Sequence, residues 1–253
     1  MRRTLGFSIN LTALVVVLMA SIPVTASPRN AVHVSDSTVK MLLERELVRR
    51  GLAKDEIDVA VDDHIVTLSG TVSTLAEKAR VAETARKAYA VSRVENNIRV
   101  RIVSNNEIVE AVRRSIVTNP NYDAFDWIEA QVRDGMVTLS GSVREPLRKS
   151  ELEKRVMNIA GVSKIDNQIK VLPLSTYDDE IRFRVIRTIY GSSTIGRYSL
   201  GANPPIHIIV ENGRVVLKGI VANTMDRQVA ESLVRTNSLA LDVRNELQVE
   251  IAN

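Results

Sequence analysis

The chain has 253 residues, 45% hydrophobic and 25% charged, and no cysteine. Disulfides, thiolate metal sites, thiol nucleophiles and a lipoprotein-type lipid anchor are therefore excluded. The formal charge is +4; without Arg2 and Arg3 it is 32 basic against 30 acidic residues, so the basic balance is no footprint of nucleic acid.

Residues 1–26 read as a secretory signal peptide. Arg2 and Arg3 lead, Leu11 to Ala20 is mostly apolar, and Val24-Thr25-Ala26 offers a small-residue cleavage site. The apolar stretch is short for a membrane span, and the alternative is an uncleaved anchor. The arginine pair matches twin-arginine export poorly. Residues 27–35 form a leader. Asp36 or Ser37 then caps a helix with Val39, Leu42, Leu43 and Leu47 on one face, ended by Gly51. Ile57, Val59 and Val61 alternate as a strand, Asp62-Asp63-His64 turns the chain, and Val66 and Leu68 continue into a strand through Gly70 to Val72. A helix capped by Thr74 and Glu77 follows, and Val94 to Val100 closes the unit as a last strand.

The pattern recurs twice. Val66-Thr67-Leu68-Ser69-Gly70 returns as Val137-Thr138-Leu139-Ser140-Gly141 and, loosened, as Val215-Val216-Leu217-Lys218-Gly219. Counting from each glycine, the copies align without a gap from position −13 (Ile57, Ile128, Ile206) to +30 (Val100, Val171, Val249), with Asn96, Asn167 and Asn245 at +26. The hairpin turn is Asp134-Gly135 in copy two and Asn212-Gly213 in copy three, residues suited to two positive φ angles. His64 replaces the glycine in copy one, which implies strain or a different turn. Pro146 suits the first turn of the second copy's second helix. The repeat predicts an α+β fold: three tandem αββαβ sandwiches, each with two helices on a three-stranded mixed sheet, at 36–103, 104–172 and 176–253. The connection between first helix and first strand varies in length, and loops carry function.

The hairpin ending in Val-Thr-Leu-Ser-Gly, the helix after it and the closing Val-x-Asn-x-Ile/Leu-x-Val resemble the BON-domain family, three times over. The resemblance implies a helix–sheet sandwich, a periplasmic or envelope location, and binding to phospholipid surfaces. It brings no catalytic residues and no cofactor. Family members include osmotically inducible periplasmic proteins, so osmotic-stress tolerance or envelope integrity is the expected service.

Other chemistry is sparse. The histidines are His33, His64 and His207. His64 sits beside Asp62 and Asp63, where a metal or general-base role competes with that of an exposed turn histidine. His207 is expected to face away from its module's core. No catalytic constellation or nucleotide motif is present. RNA binding of the KH kind lacks its Gly-x-x-Gly loop. The remaining classes are a lipid-surface binder and a partner-binding envelope module without lipid contact. For the first, an anionic phospholipid surface is expected to meet Phe125, Trp127, Lys149, Arg197, Tyr198 and Arg227. Phe125 and Trp127 fall on the face opposite Ile128, and Lys149 and Arg227 share the basic position +8 with Lys78. The competing reading of the aromatics is packing between modules. Gly70, Gly141, Gly219 and the three asparagines are expected to be structural.

Overall fold

Each Val-x-Leu-x-Gly segment is the central strand of its own sheet. The computed structural model describes residues 34–52, 56–200 and 203–250; the predicted signal peptide lies outside the described residues. Module one comprises α1 (Asp36–Arg49), β1 (Ile57–Asp62), β2 (Ile65–Val72), α2 (Leu75–Arg86) and a last strand in two pieces, β3 (Arg93–Asn96) and β4 (Arg99–Val100). Module two repeats this as α3 (Asn105–Val117), β5 (Trp127–Arg133), β6 (Met136–Val143), α4 (Pro146–Met157), β7 (Lys164–Asn167) and β8 (Lys170–Val171). Module three has α5 (Thr176–Tyr190), a 3-10 turn (Gly196–Ser199), β9 (Ile206–Glu211), β10 (Arg214–Val221), α6 (Thr224–Asn237) and an unbroken β11 (Asp242–Val249). The fold is α+β, with three helix-plus-sheet units.

The sheets are mixed, as the helix between the second and third strands requires. The central strand pairs antiparallel with the strand before it, setting Ile57 opposite Gly70, Ile128 opposite Gly141 and Ile206 opposite Gly219. It pairs parallel with the last strand, setting Val66 opposite Val94, Val137 opposite Ile165 and Val215 opposite Val243. The glycines have φ of 111°, 108° and 120°. A Cβ at these positions would overlap the backbone carbonyl of Glu56, Trp127 or Pro205. The close approach of two backbones therefore demands glycine.

All three hairpins turn through two residues with positive φ: Asp63 and His64, Asp134 and Gly135, Asn212 and Gly213. His64 keeps the same turn at φ 61°. The strain is offset by a carboxylate from the first helix: Asp36 accepts the amides of Asp63 and His64 at 2.9 and 3.0 Å. Asp178, buried, does the same for Asn212 and Gly213 at 2.9 and 2.7 Å. The expected exposed histidine is instead half-buried in a capped turn. Helix α1 is capped by Ser35 rather than Asp36 or Ser37, which frees Asp36 for the turn. Val39, Leu43 and Leu47 are buried, while Leu42 is exposed.

Each module has its own core. Leu43, Leu47, Val66, Leu68 and Val81 centre the first; Ile108, Val112, Val137, Leu139 and Leu152 centre the second. The third is built on Ile181, Val185, Ile208, Leu217 and Val234, and it takes in Phe125 from module two. Each such buried side chain stabilises by ~1.5–3 kcal/mol. The modules also touch through backbone. The Gly161 amide donates to the Ser73 carbonyl at 3.1 Å beside a Thr74–Ala160 bridge, and the Ile208 amide donates to the Ala124 carbonyl at 2.6 Å.

Candidate functional site

The segment between α3 and β5 carries most of the distinctive chemistry of the chain. It is fixed locally by two carboxylates. Asp123 accepts the Phe125 amide at 2.8 Å, and buried Asp126 accepts the Arg144 amide at 3.0 Å. The buried Arg148 guanidinium, one turn into α4, pairs with Asp126 and with Asp123, the latter at 3.0 Å. Burial alone would lower the Arg148 pKa, but Asp126 and Asp123 outweigh it and raise it.

This clamp aims Phe125 out of its own module. The ring is 9% exposed and lies in the core of module three, with the Arg144 guanidinium 5.6 Å from its centroid. The expectation that Phe125 meets lipid is corrected: the face it points to is covered by the next module. Trp127 follows the same logic and is half-buried. Its ring is 5.2 Å from that of His207, Lys218 sits 5.7 Å from its centroid, and its Nε1 donates to Glu129 at 2.7 Å. That hydrogen bond, with help from Lys218, holds the Glu129 pKa below its ordinary value. Lys218 also bridges to Glu129 at 3.3 Å and Glu246 at 3.0 Å.

His207 does face away from its own core, but it is buried by module two. Tyr122 stacks 5.2 Å from it, and its Nδ1 lies 3.2 Å from the Asp123 carbonyl. Burial pushes the imidazole pKa below its ordinary value. Among the described residues no cluster of His, Asp and Glu could hold a metal ion.

The 3-10 turn places Arg197 and Tyr198 over the start of α6. Arg197 pairs with Asp226, which also accepts from the Tyr198 hydroxyl at 2.6 Å and the Asn223 side-chain amide at 3.1 Å; the tyrosine oxygen in turn accepts the Ala222 amide at 2.7 Å. Burial would raise the Asp226 pKa, but Tyr198 and Arg197 together hold it below the usual carboxylate range. Tyr198 is therefore committed to its own module, while Arg197 keeps a side chain 48% exposed. Lys149 is half-buried and Arg227 exposed. Their backbone carbonyls accept the amides of Asn167 and Asn245 at 3.2 and 2.8 Å, tying each last strand to the helix before it. Asn96, Asn167 and Asn245 also accept the amide two residues on, across the break in the last strand in modules one and two and within the unbroken β11 in module three. Two residues before Lys149 and Arg227, Leu147 and Met225 stand 63% and 65% exposed, and Leu200 is exposed beyond the 3-10 turn.

Sequence reasoning named Glu77 as a capping partner of Thr74 but passed over position +7 in the other two copies. It is Glu77, Arg148 and Asp226, all buried and charged, with the sign inverted in module two. The alignment itself held the signal, because one arginine among two acids implies acidic partners peculiar to that copy. Asp123 and Asp126 are those partners.

Comparison with known proteins agrees with this build. The family profile described as BON domain matches residues 35–102, 104–173 and 193–251, so α5 lies outside the third match. No curated protein matches the chain. Among solved structures, CdsD, a structural protein of the type III secretion system of Chlamydia trachomatis, is 13% identical over 84% of this chain and 92% of that one, with a TM-score of 0.25. The PrgH periplasmic domain is 15% identical over 77% of this chain and 95% of that one, with a TM-score of 0.20. Scores this low leave the fold assignment to the family profile and the sheet topology.

Proposed function

The chain belongs to the BON-domain family, and from that premise we propose that it is a non-enzymatic exported envelope protein that binds anionic phospholipid surfaces through modules two and three. BON domains are associated with envelope and periplasmic proteins, and the family is not known for enzymatic activity. Among the described residues no helix is long and apolar enough to cross a membrane. The observation that carries the reading is the pairing of an exposed apolar side chain with a cation at equivalent helix starts. Leu147 precedes Lys149 on α4, and Met225 precedes Arg227 on α6; module one has Ala76 before Lys78. Arg197 and Leu200 extend the module-three tip. Each cation near an anionic surface contributes ~1 kcal/mol, so binding is weak, reversible and dependent on a few side chains. The physiological role follows as envelope integrity or osmotic-stress tolerance.

Vesicle co-sedimentation with neutral and anionic lipids tests this. Binding should require anionic lipid and fall with salt. Leu147→Asp combined with Met225→Asp should abolish it without lowering the melting temperature, since both side chains are exposed. If the unaltered protein ignores anionic vesicles at low salt, the lipid reading fails and an envelope protein partner takes its place.

A further inference from the structure

One titratable ring lies inside the joint between modules two and three. Phe125 enters the core of module three, and the Ala124 carbonyl takes the Ile208 amide. The ion pairs Lys218–Glu129 and Lys170–Glu211 cross between the modules at 3.3 and 2.6 Å. His207 sits among these contacts, 6% exposed, against the rings of Tyr122 and Trp127. It also lines a cleft of about 480 Å3 beside Trp127, between α3 and the start of β9. The neighbouring module buries this ring, not its own core. Parting the modules therefore returns it to water without unfolding either one.

The charges around the ring do not favour a second proton on it. Asp123 and Asp126, from the segment before β5, hold Arg148 of α4. Glu129 of β5 takes the Trp127 Nε1 and Lys218, and Glu246 of β11 also takes Lys218. Lys218 stands directly opposite His207 in the β9–β10 register, so the two side chains share a face of the sheet. Arg113 of α3 lines the same cleft. An imidazolium here would lie beside an ammonium and away from water. Burial already holds the imidazole pKa below its ordinary value.

We propose that His207 makes this joint an acid-released latch: protonation of the imidazole parts module three from module two while each keeps its own fold. The parted state carries an ordinary imidazole, near 6.5, and the closed state one of lower pKa. Closure is therefore complete above 6.5 and weakens as pH falls towards the closed-state value. Within that window the parting equilibrium rises by up to about tenfold per pH unit. The surface released carries Tyr122, Phe125 and Trp127, which the closed protein covers wholly or in part. The latch needs no ligand, so it does not rest on the surface-binding reading above.

The chain has no cysteine, so an introduced one reports alone. Ala124→Cys puts a thiol in the joint, where the native side chain is 5% exposed. Ala230→Cys puts one on α6, fully buried in the core of module three. Each variant is labelled with a disulfide reagent between about pH 7.5 and 5, the range in which imidazole titrates. Dividing the rate for free cysteine at the same pH by the measured rate gives a protection factor and removes the thiolate's own pH dependence. Ala124→Cys should be less protected than Ala230→Cys throughout, because parting the modules needs less than unfolding one. Its protection should fall by up to about tenfold per pH unit below 6.5. Adding His207→Gln should remove that fall, with circular dichroism checking that the variant is folded. Lys218→Gln, at a half-buried side chain, should shrink the fall because the opposing cation is gone, and it decides the matter if His207→Gln does not fold. The proposal is overturned by equal protection at the two reporters, which would mean global unfolding. It is also overturned by pH-independent protection at Ala124→Cys, or by a fall that survives undiminished in His207→Gln or Lys218→Gln.

Discussion

Phe125→Ala separates a staple between modules from a lipid anchor. The ring lies 9% exposed among Ile206, Ile208 and their neighbours in the core of module three, although it belongs in sequence to module two. Truncating a buried phenylalanine costs ~3–5 kcal/mol, the upper values applying where the site cannot collapse. Asp123, Asp126 and Arg148 hold the backbone here, which limits collapse, while the partial exposure argues for the lower end. About 3 kcal/mol is the working value. Modules two and three together make a unit of about 150 residues, for which 1 kcal/mol moves the melting temperature by ~2–4 °C. Scanning calorimetry should therefore show the transition of that unit fall by ~6–12 °C, with module one's contribution unchanged. A shift under ~2 °C accompanied by loss of vesicle binding would refute the staple and return Phe125 to the membrane.

The other predictions rest on separate features. Gly141→Val should cost ~3 kcal/mol or more, because its Cβ overlaps the Trp127 carbonyl at φ 108°, whereas Gly51→Asn, at φ 66° with open space around it, should cost under ~1 kcal/mol; equal effects in chemical denaturation would refute the close-approach argument. Asp178→Ala strips two turn amides of their buried acceptor and should cost ~2–4 kcal/mol, against ~1 kcal/mol for Asp36→Ala at its more exposed turn. Stability should also depend on His207. Its folded pKa lies below the ordinary 6.5, so the unfolded chain binds the extra proton first, and the contribution, full above 6.5, is lost as pH falls below it towards the folded value. His207→Gln should flatten that part of the stability profile, and an unchanged slope would count against a buried neutral imidazole.

Much of the architecture could be read before any coordinates. The period-2 runs around Val66, Val137 and Val215 place three hairpins. Asp134-Gly135 and Asn212-Gly213 name their turns, and the constant spacing to Asn96, Asn167 and Asn245 fixes the last strand. These are local rules, in which backbone sterics and the alternation of strand faces act within a few residues. The same rules put Phe125, Trp127 and His207 on the faces turned away from their own cores, and they are on those faces.

What alternation does not encode is what lies beyond a face. A side chain turned away from one core meets water, lipid or another domain depending on how the modules pack, and that depends on residues far apart in the chain. Phe125 reaches the core of module three because Asp126, clamped by Arg148 from α4, bends the chain before β5 towards the edge of β9. His207 is buried for the same reason. Tyr198 is withdrawn from the surface by Asp226, 28 residues on. The sequence by itself determined three modules, the succession of their helices and strands, and the glycines at the strand crossings. Tertiary structure decided which exposed-looking aromatics became a junction, and it left Leu147, Met225 and the cleft beside Trp127 open, because burial follows long-range packing and not local pattern.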